Sequence, residues 1–101
     1  METEKALQIV FEKLIEENSI PSKIRNINNV EHAEYCELIN AINFLIESYK
    51  INPNIPKKLA LAFVDISNYF FVSNLNYSEE DLERFEDYGI ELSALGQKLF
   101  S

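Results

Sequence analysis

The sequence predicts an all-α fold, arranged as an antiparallel up-down four-helix bundle, on three observations. Apolar residues recur at three- and four-residue spacing in four separate stretches, as one face of a helix requires. Glycine occurs only at Gly89 and Gly96, and proline only at Pro21, Pro53 and Pro56, so those stretches run with few breakers. The connections between them are short, which favours helices folded back against their neighbours around a common axis. No strand competes: Leu59 to Phe63 alternates only in size, and Phe70, Phe71 and Val72 are β-prone but sit inside a longer helical period.

The first helix is expected at about residues 3–18, with Thr3 as N-cap. Leu7, Val10, Phe11, Leu14 and Ile15 form its stripe, and Glu12, Lys13, Glu16 and Glu17 its solvent face. From Asn18 to Asn29 the period is lost and the chain reads as a connection around Pro21. The second helix, about 30–50, has the cleanest period: Tyr35, Leu38, Ile39, Ile42, Leu45, Ile46 and Tyr49. Asn28 and Glu31 stand at capping-box spacing before it. Ile51 to Pro56, with two prolines and two asparagines, stops that helix and starts the next.

The third helix, about 55–74, places Leu59, Ala62, Phe63, Ile66, Phe70 and Ser73 on one stripe. It also carries Leu61, Val64, Phe71 and Val72 on other faces, with Tyr69, Leu75 and Tyr77 near its end. This is more apolar surface than one stripe buries, so either this helix is the most central or part of it is exposed. The fourth helix, about 78–95, opens on Ser78 as N-cap with Glu79, Glu80 and Asp81 in the first turn, where the helix dipole favours negative charge. Leu82, Phe85, Gly89, Leu92 and Leu95 face inward, and Glu83, Glu86, Asp87 and Glu91 outward.

Length and composition bound the function. The 101 residues fit a single domain, 1–101, and 47% hydrophobic with 26% charged residues is ordinary for a globular chain. Nine Lys and Arg against 17 Asp and Glu give a net charge of -8, which repels phosphate backbones and argues against nucleic-acid binding. Met1 to Lys5 are acidic and lack the basic segment of a signal peptide, and the longest apolar run, Leu59 to Val64, is far below the roughly 20 residues of a membrane helix. A cytoplasmic protein is expected.

Catalytic chemistry is hard to build from these residues. The only histidine, His32, stands four residues from the only cysteine, Cys36, which puts both on one helical face. No third group orients such a pair, so Cys36 reads as a reduced helical core residue and His32 as a solvated first-turn residue. One His and one Cys do not make a metal site, no Glu-x-x-His pairing occurs, and two glycines cannot form a phosphate cradle. The expectation is a binding protein with no enzymatic activity, no metal, no cofactor and no small-molecule substrate. Its site is placed on the hairpin between the third and fourth helices and the acidic face beyond: Phe71, Val72, Asn74, Leu75, Asn76, Tyr77, Glu83 and Asp87.

The order of these features resembles the pediocin-like (class IIa) bacteriocin immunity proteins. The resemblance rests on a short acidic first helix reading Gln8-Ile-Val-Phe-Glu-Lys-Leu14, a long second helix, a Pro-Asn turn and an aromatic-rich third helix. Asn74-Leu-Asn-Tyr-Ser-Glu-Glu-Asp-Leu82 then opens a fourth, so that the likeness spans about Ala6 to Gly96. The resemblance implies an antiparallel four-helix bundle in the cytoplasm of a Gram-positive bacterium that makes or resists a bacteriocin. In that family the toxin is a cationic peptide using the mannose phosphotransferase permease as receptor, and the immunity protein blocks the resulting pore from inside. Specificity is associated with the C-terminal half, here the third and fourth helices and the tail Leu95 to Ser101. That tail is short here, ending Gln97-Lys-Leu-Phe-Ser101, where the family's longer tails make further contacts. The implied partner is the permease with bound peptide, and the protein is expected to be a monomer.

Two other classes stay open on the residues themselves. The seven carboxylates from Glu79 to Glu91, against the single Arg84, suit an acidic inhibitor of a basic nuclease toxin. Phe71 and its neighbours suit a helical interaction module that dimerises.

Overall fold

A computed structural model describes residues 1–70 and 76–101; those residues are all-helical, with six helical segments and no strand among them. α1 (Thr3–Leu14) buries Ala6, Ile9, Val10 and Leu14. Leu7 and Phe11 from the expected stripe pack at its edge, and Ile15 is exposed. The N-cap is Glu2 rather than Thr3, whose hydroxyl instead shares a 2.9 Å hydrogen bond with Ser48. The helix ends four residues earlier than expected. The amides of Ile15 and Glu16 both bond to the Phe11 carbonyl, at 2.9 and 3.0 Å, which tightens and closes the last turn.

The stretch expected to be a connection contains α2 (Ile20–Arg25). Ser19, itself buried, accepts the Ser22 amide at 3.3 Å, and Pro21 stands in the first turn, where its missing N–H costs nothing. Pro21 is therefore a helix starter here and not a breaker. Ile20 and Ile24 bury fully, which holds six residues in a helix too short to persist alone. At its end Asn28 bonds back to the Lys23 carbonyl at 2.8 Å and Ile27 to that of Ile24 at 3.3 Å, the paired bonds of a Schellman cap. Ile27 takes the left-handed position of that cap, with φ 56°.

α3 (His32–Ile51) buries Tyr35, Leu38, Ala41, Ile42 and Leu45. The capping box does not form, because Glu31 is itself the N-cap and its carboxylate accepts the Asn29 side-chain amide at 2.7 Å. Cys36 lies on the exposed side of α3, so it is not the core residue expected. The expected third helix is two pieces, α4 (Lys57–Phe63) and α5 (Ile66–Tyr69). The break falls at Val64 and Asp65, where the Asp65 carboxylate accepts the Asn68 side-chain amide at 2.8 Å and its carbonyl accepts the Asn68 amide at 3.1 Å, restarting the helix. Leu59, Ala62, Phe63, Ile66 and Phe70 are buried as expected. The remainder of that expected helix, residues 71–74, lies outside the described residues.

α6 (Glu79–Phe100) starts where expected, with the Ser78 hydroxyl accepting the Asp81 amide at 3.1 Å, but runs five residues past 95. Gly96 does not stop it. The glycine is buried in mid-helix against the Phe63 ring, at a place where α6 passes so close to α4 that a Cβ would lie 2.8 Å from Phe63 Cδ1. α1 packs mainly along α3, and α6 packs on α5, α3 and α4. The resulting body measures 44 × 22 × 20 Å, with Val10, Leu38, Ile42, Leu45, Leu59, Phe70, Phe85 and Leu92 at its centre.

Candidate binding surface

α6 carries two of the four expected site residues that are described, Glu83 and Asp87, and Asn76 and Tyr77 precede it. Successive turns place Glu83, Asp87 and Ile90 on one outward stripe, flanked by Glu79, Glu80, Glu86 and Glu91, and all seven side chains are exposed. Ile90, 63% exposed, is an apolar knob at the C-terminal end of this acidic face. Asp81 leaves the set: it is half-buried and faces Arg84 across 3.6 Å. Glu83 and Asp87 are exposed and make no ion pair among the described residues. Asn76 is exposed. Tyr77 turns inward, its hydroxyl donating to the Ile24 carbonyl at 2.7 Å and its ring meeting Phe85 edge-on at 5.1 Å, so it ties the start of α6 to α2. Phe71, Val72, Asn74 and Leu75 lie outside the described residues.

Behind the acidic face is a cluster that sequence reasoning did not assemble. Tyr35 of α3 and Tyr88 of α6 stack with ring centroids 3.6 Å apart and planes 10° from parallel. The Tyr35 hydroxyl donates to the Glu91 carboxylate at 2.5 Å, and the Tyr88 hydroxyl shares a 2.8 Å hydrogen bond with His32 Nδ1. The Arg84 guanidinium covers the rings of Phe85 and Tyr88, 5.0 and 5.7 Å from their centroids, and donates to the Val30 carbonyl at 3.3 Å. Burial drives the Tyr35 hydroxyl well above its ordinary range, and the neighbouring Glu91 carboxylate pushes the same way. Burial also raises Tyr88, with Arg84 pulling partly against it.

Both tyrosines are therefore held neutral, as packing groups with satisfied hydroxyls. Helical spacing placed Tyr35 on the inner stripe of its helix but said nothing of where its hydroxyl would point. Tyr88 falls beside Gly89 on the inner face and could have been found the same way. His32 is exposed at the start of α3 and its Nδ1 is taken up by Tyr88; no hydrogen bond joins it to Cys36 among the described residues. Also among those residues, no group of three or more His, Cys, Asp or Glu side chains is placed to hold a metal ion, and no helix is long and apolar enough to cross a membrane.

No family model, no curated protein and no solved structure matches this chain.

Proposed function

We propose that this chain is a bacteriocin immunity protein, protecting its cell from a pediocin-like peptide by blocking the toxin-occupied mannose phosphotransferase permease from the cytoplasmic side. The observation that carries this reading is the order of segments. A short acidic helix precedes a long one, an Asn-Pro turn and an aromatic-rich stretch follow, and a long helix opens on Ser78 with three acids in its first turn. That order is the one in which the sequence resembles the immunity proteins. In this reading α1, α3, α4 with α5, and α6 are the four helices of an antiparallel up-down bundle. α2 is then a turn of helix inserted in the first connection.

Support for the partner comes from charge. A cationic peptide bound to its receptor offers positive potential, and the outward stripe of α6 offers carboxylates beside the exposed apolar Ile90. Phe71, Val72, Asn74 and Leu75, the rest of the expected site, precede that stripe in the sequence. Expression in a bacteriocin-sensitive strain tests the reading. Loss of potency for at least one peptide from a broad pediocin-like panel is expected, and undiminished killing by every one of them defeats it.

A second reading, an acidic inhibitor of a basic nuclease toxin, is favoured by the same exposed acids. It expects salt-sensitive binding to a soluble basic protein. Charge reversal at Glu83, Glu86 and Asp87 that leaves protection intact removes its basis.

A further inference from the structure

The ends of α1 and α2 meet α4 and α5 around a cleft of about 310 Å³, lined by the apolar side chains of Leu14, Ile15, Pro21, Leu61 and Ala62 with Tyr69. This lies within the size range of small-ligand sites, which run from about 300 to about 1,000 Å³. Its charge is the reverse of the molecule's. In a chain of net charge -8, the two ionic groups of this lining are both cations, Arg25 and Lys58, and no carboxylate is among them. A second hollow, lined by Glu12, Glu16, Glu17 and Glu34 together with Lys13 and Lys23, carries more acid than base.

Among the described residues, neither cation meets an acid. Arg25 is exposed and makes no hydrogen bond or ion pair among the described residues, whereas Lys13 and Lys23 both meet Glu34. Lys58, also in the lining, has its Nζ 4.4 Å above the centre of the Phe11 ring and meets no carboxylate among the described residues. The apolar lining is open to water at Leu61, 63% exposed, and Ile15, 43% exposed. An apolar cavity bordered by two unpaired cations fits a molecule with an alkyl chain and a negative head.

We propose that this cleft binds an anionic amphiphile, a single alkyl chain ending in a carboxylate, with the chain against Leu14, Leu61 and Ala62 and the head met by Arg25 and Lys58. Volume and charge select this occupant over larger ones. A standard protein–protein interface spreads over about 800 Å² on each partner, whereas this is a local hollow of about 310 Å³, the scale of a small ligand. Glu16 and Glu17, which directly follow the lining residue Ile15, are exposed and oppose the approach of an anionic bilayer to this end of α1.

Dodecanoate, titrated below micelle formation into the isotope-labelled chain and followed by amide NMR, tests the proposal. Saturable shifts confined to Leu14, Ile15, Leu61, Ala62 and Tyr69 are expected, with no matching response to dodecyltrimethylammonium. Arg25→Glu with Lys58→Glu should weaken dodecanoate binding at least about tenfold with the helical circular dichroism unchanged, since each cation contributes a charge-assisted contact. Leu61→Glu, at an exposed rim position, should weaken it independently. Equal binding of the cationic detergent, or shifts scattered over the surface, overturns the proposal. So does binding to phosphatidylcholine–phosphatidylglycerol vesicles without saturable binding of dodecanoate, which makes the face a lipid contact instead.

Discussion

Two single residues carry backbone and packing constraints that their types disguise. Ile27 is a β-branched residue at φ 56°, a conformation that crowds its Cβ and costs about 1–2 kcal/mol relative to the right-handed region. Its side chain is 49% exposed and returns little burial for that strain. Ile27→Gly and Ile27→Asn should each stabilise the protein by about 0.5–1 kcal/mol, the glycine offset in part by the freedom it adds to the unfolded chain. Over a chain of this length that is a rise of several degrees in thermal midpoint, and an unchanged or lower midpoint for both variants refutes the strain argument. Gly96 presents the opposite case. An exposed mid-helix glycine would gain about 1 kcal/mol on replacement by alanine. Here the new methyl would enter the buried Phe63 ring, so Gly96→Ala should destabilise by about 1–2 kcal/mol instead. Phe63→Leu in the same chain should recover part of the loss, and purely additive effects in chemical denaturation would mean that the two residues do not collide.

At the level of elements, α1 and α2 are both joined to α3 through one carboxylate. Glu34, 9% exposed at its side chain, accepts from Lys23 of α2 at 2.7 Å and from Lys13 of α1 at 3.4 Å. Glu34→Gln keeps the shape, removes the charge and leaves two lysines facing each other, so it should cost about 1–2 kcal/mol. The loss should shrink as salt rises; a neutral substitution at low salt would show that the two bridges are surface decoration. This carboxylate was invisible in the sequence because Glu34 reads as one more polar residue opposite the apolar stripe of α3. The stripe itself was legible. Tyr35, Leu38, Ile42 and Leu45 were picked out by spacing alone, as was the Ser78 start of α6, because a sustained period and a side-chain cap are both local signals. What failed was local as well, but ambiguous. Pro21 and the asparagines around it read as a connection, although Ser19 and buried Ile20 and Ile24 make a helix of the same residues. The break at Asp65 depends on one side-chain hydrogen bond that no period reveals.

For the molecule as a whole, the outward acids of α6 were legible as a surface, since charge at helical spacing opposite a stripe is exposed in any bundle. The cleft bordered by Arg25 and Lys58 was not, because it joins residues from four segments that only the folded chain brings together. The same holds for the tyrosine pair between α3 and α6, and its consequence is a global one. Tyr35 and Tyr88 are both raised by burial, and Tyr49 and Tyr77 in the same direction, so the folded state retains phenolic protons that the unfolded chain gives up near its ordinary value of about 10. A group raised on folding stabilises fully below its unfolded pKa and loses that contribution as pH climbs toward the folded one. The thermal midpoint should therefore fall above about pH 10, together with a cooperative appearance of tyrosinate absorbance. Tyr35→Phe keeps the stack on Tyr88 while removing the proton and the bond to Glu91, so it should cost about 1 kcal/mol at neutral pH and flatten the alkaline decline. If Tyr35→Phe leaves that decline as steep as before, the α3–α6 contact is not what alkali breaks, and the other raised tyrosines carry it.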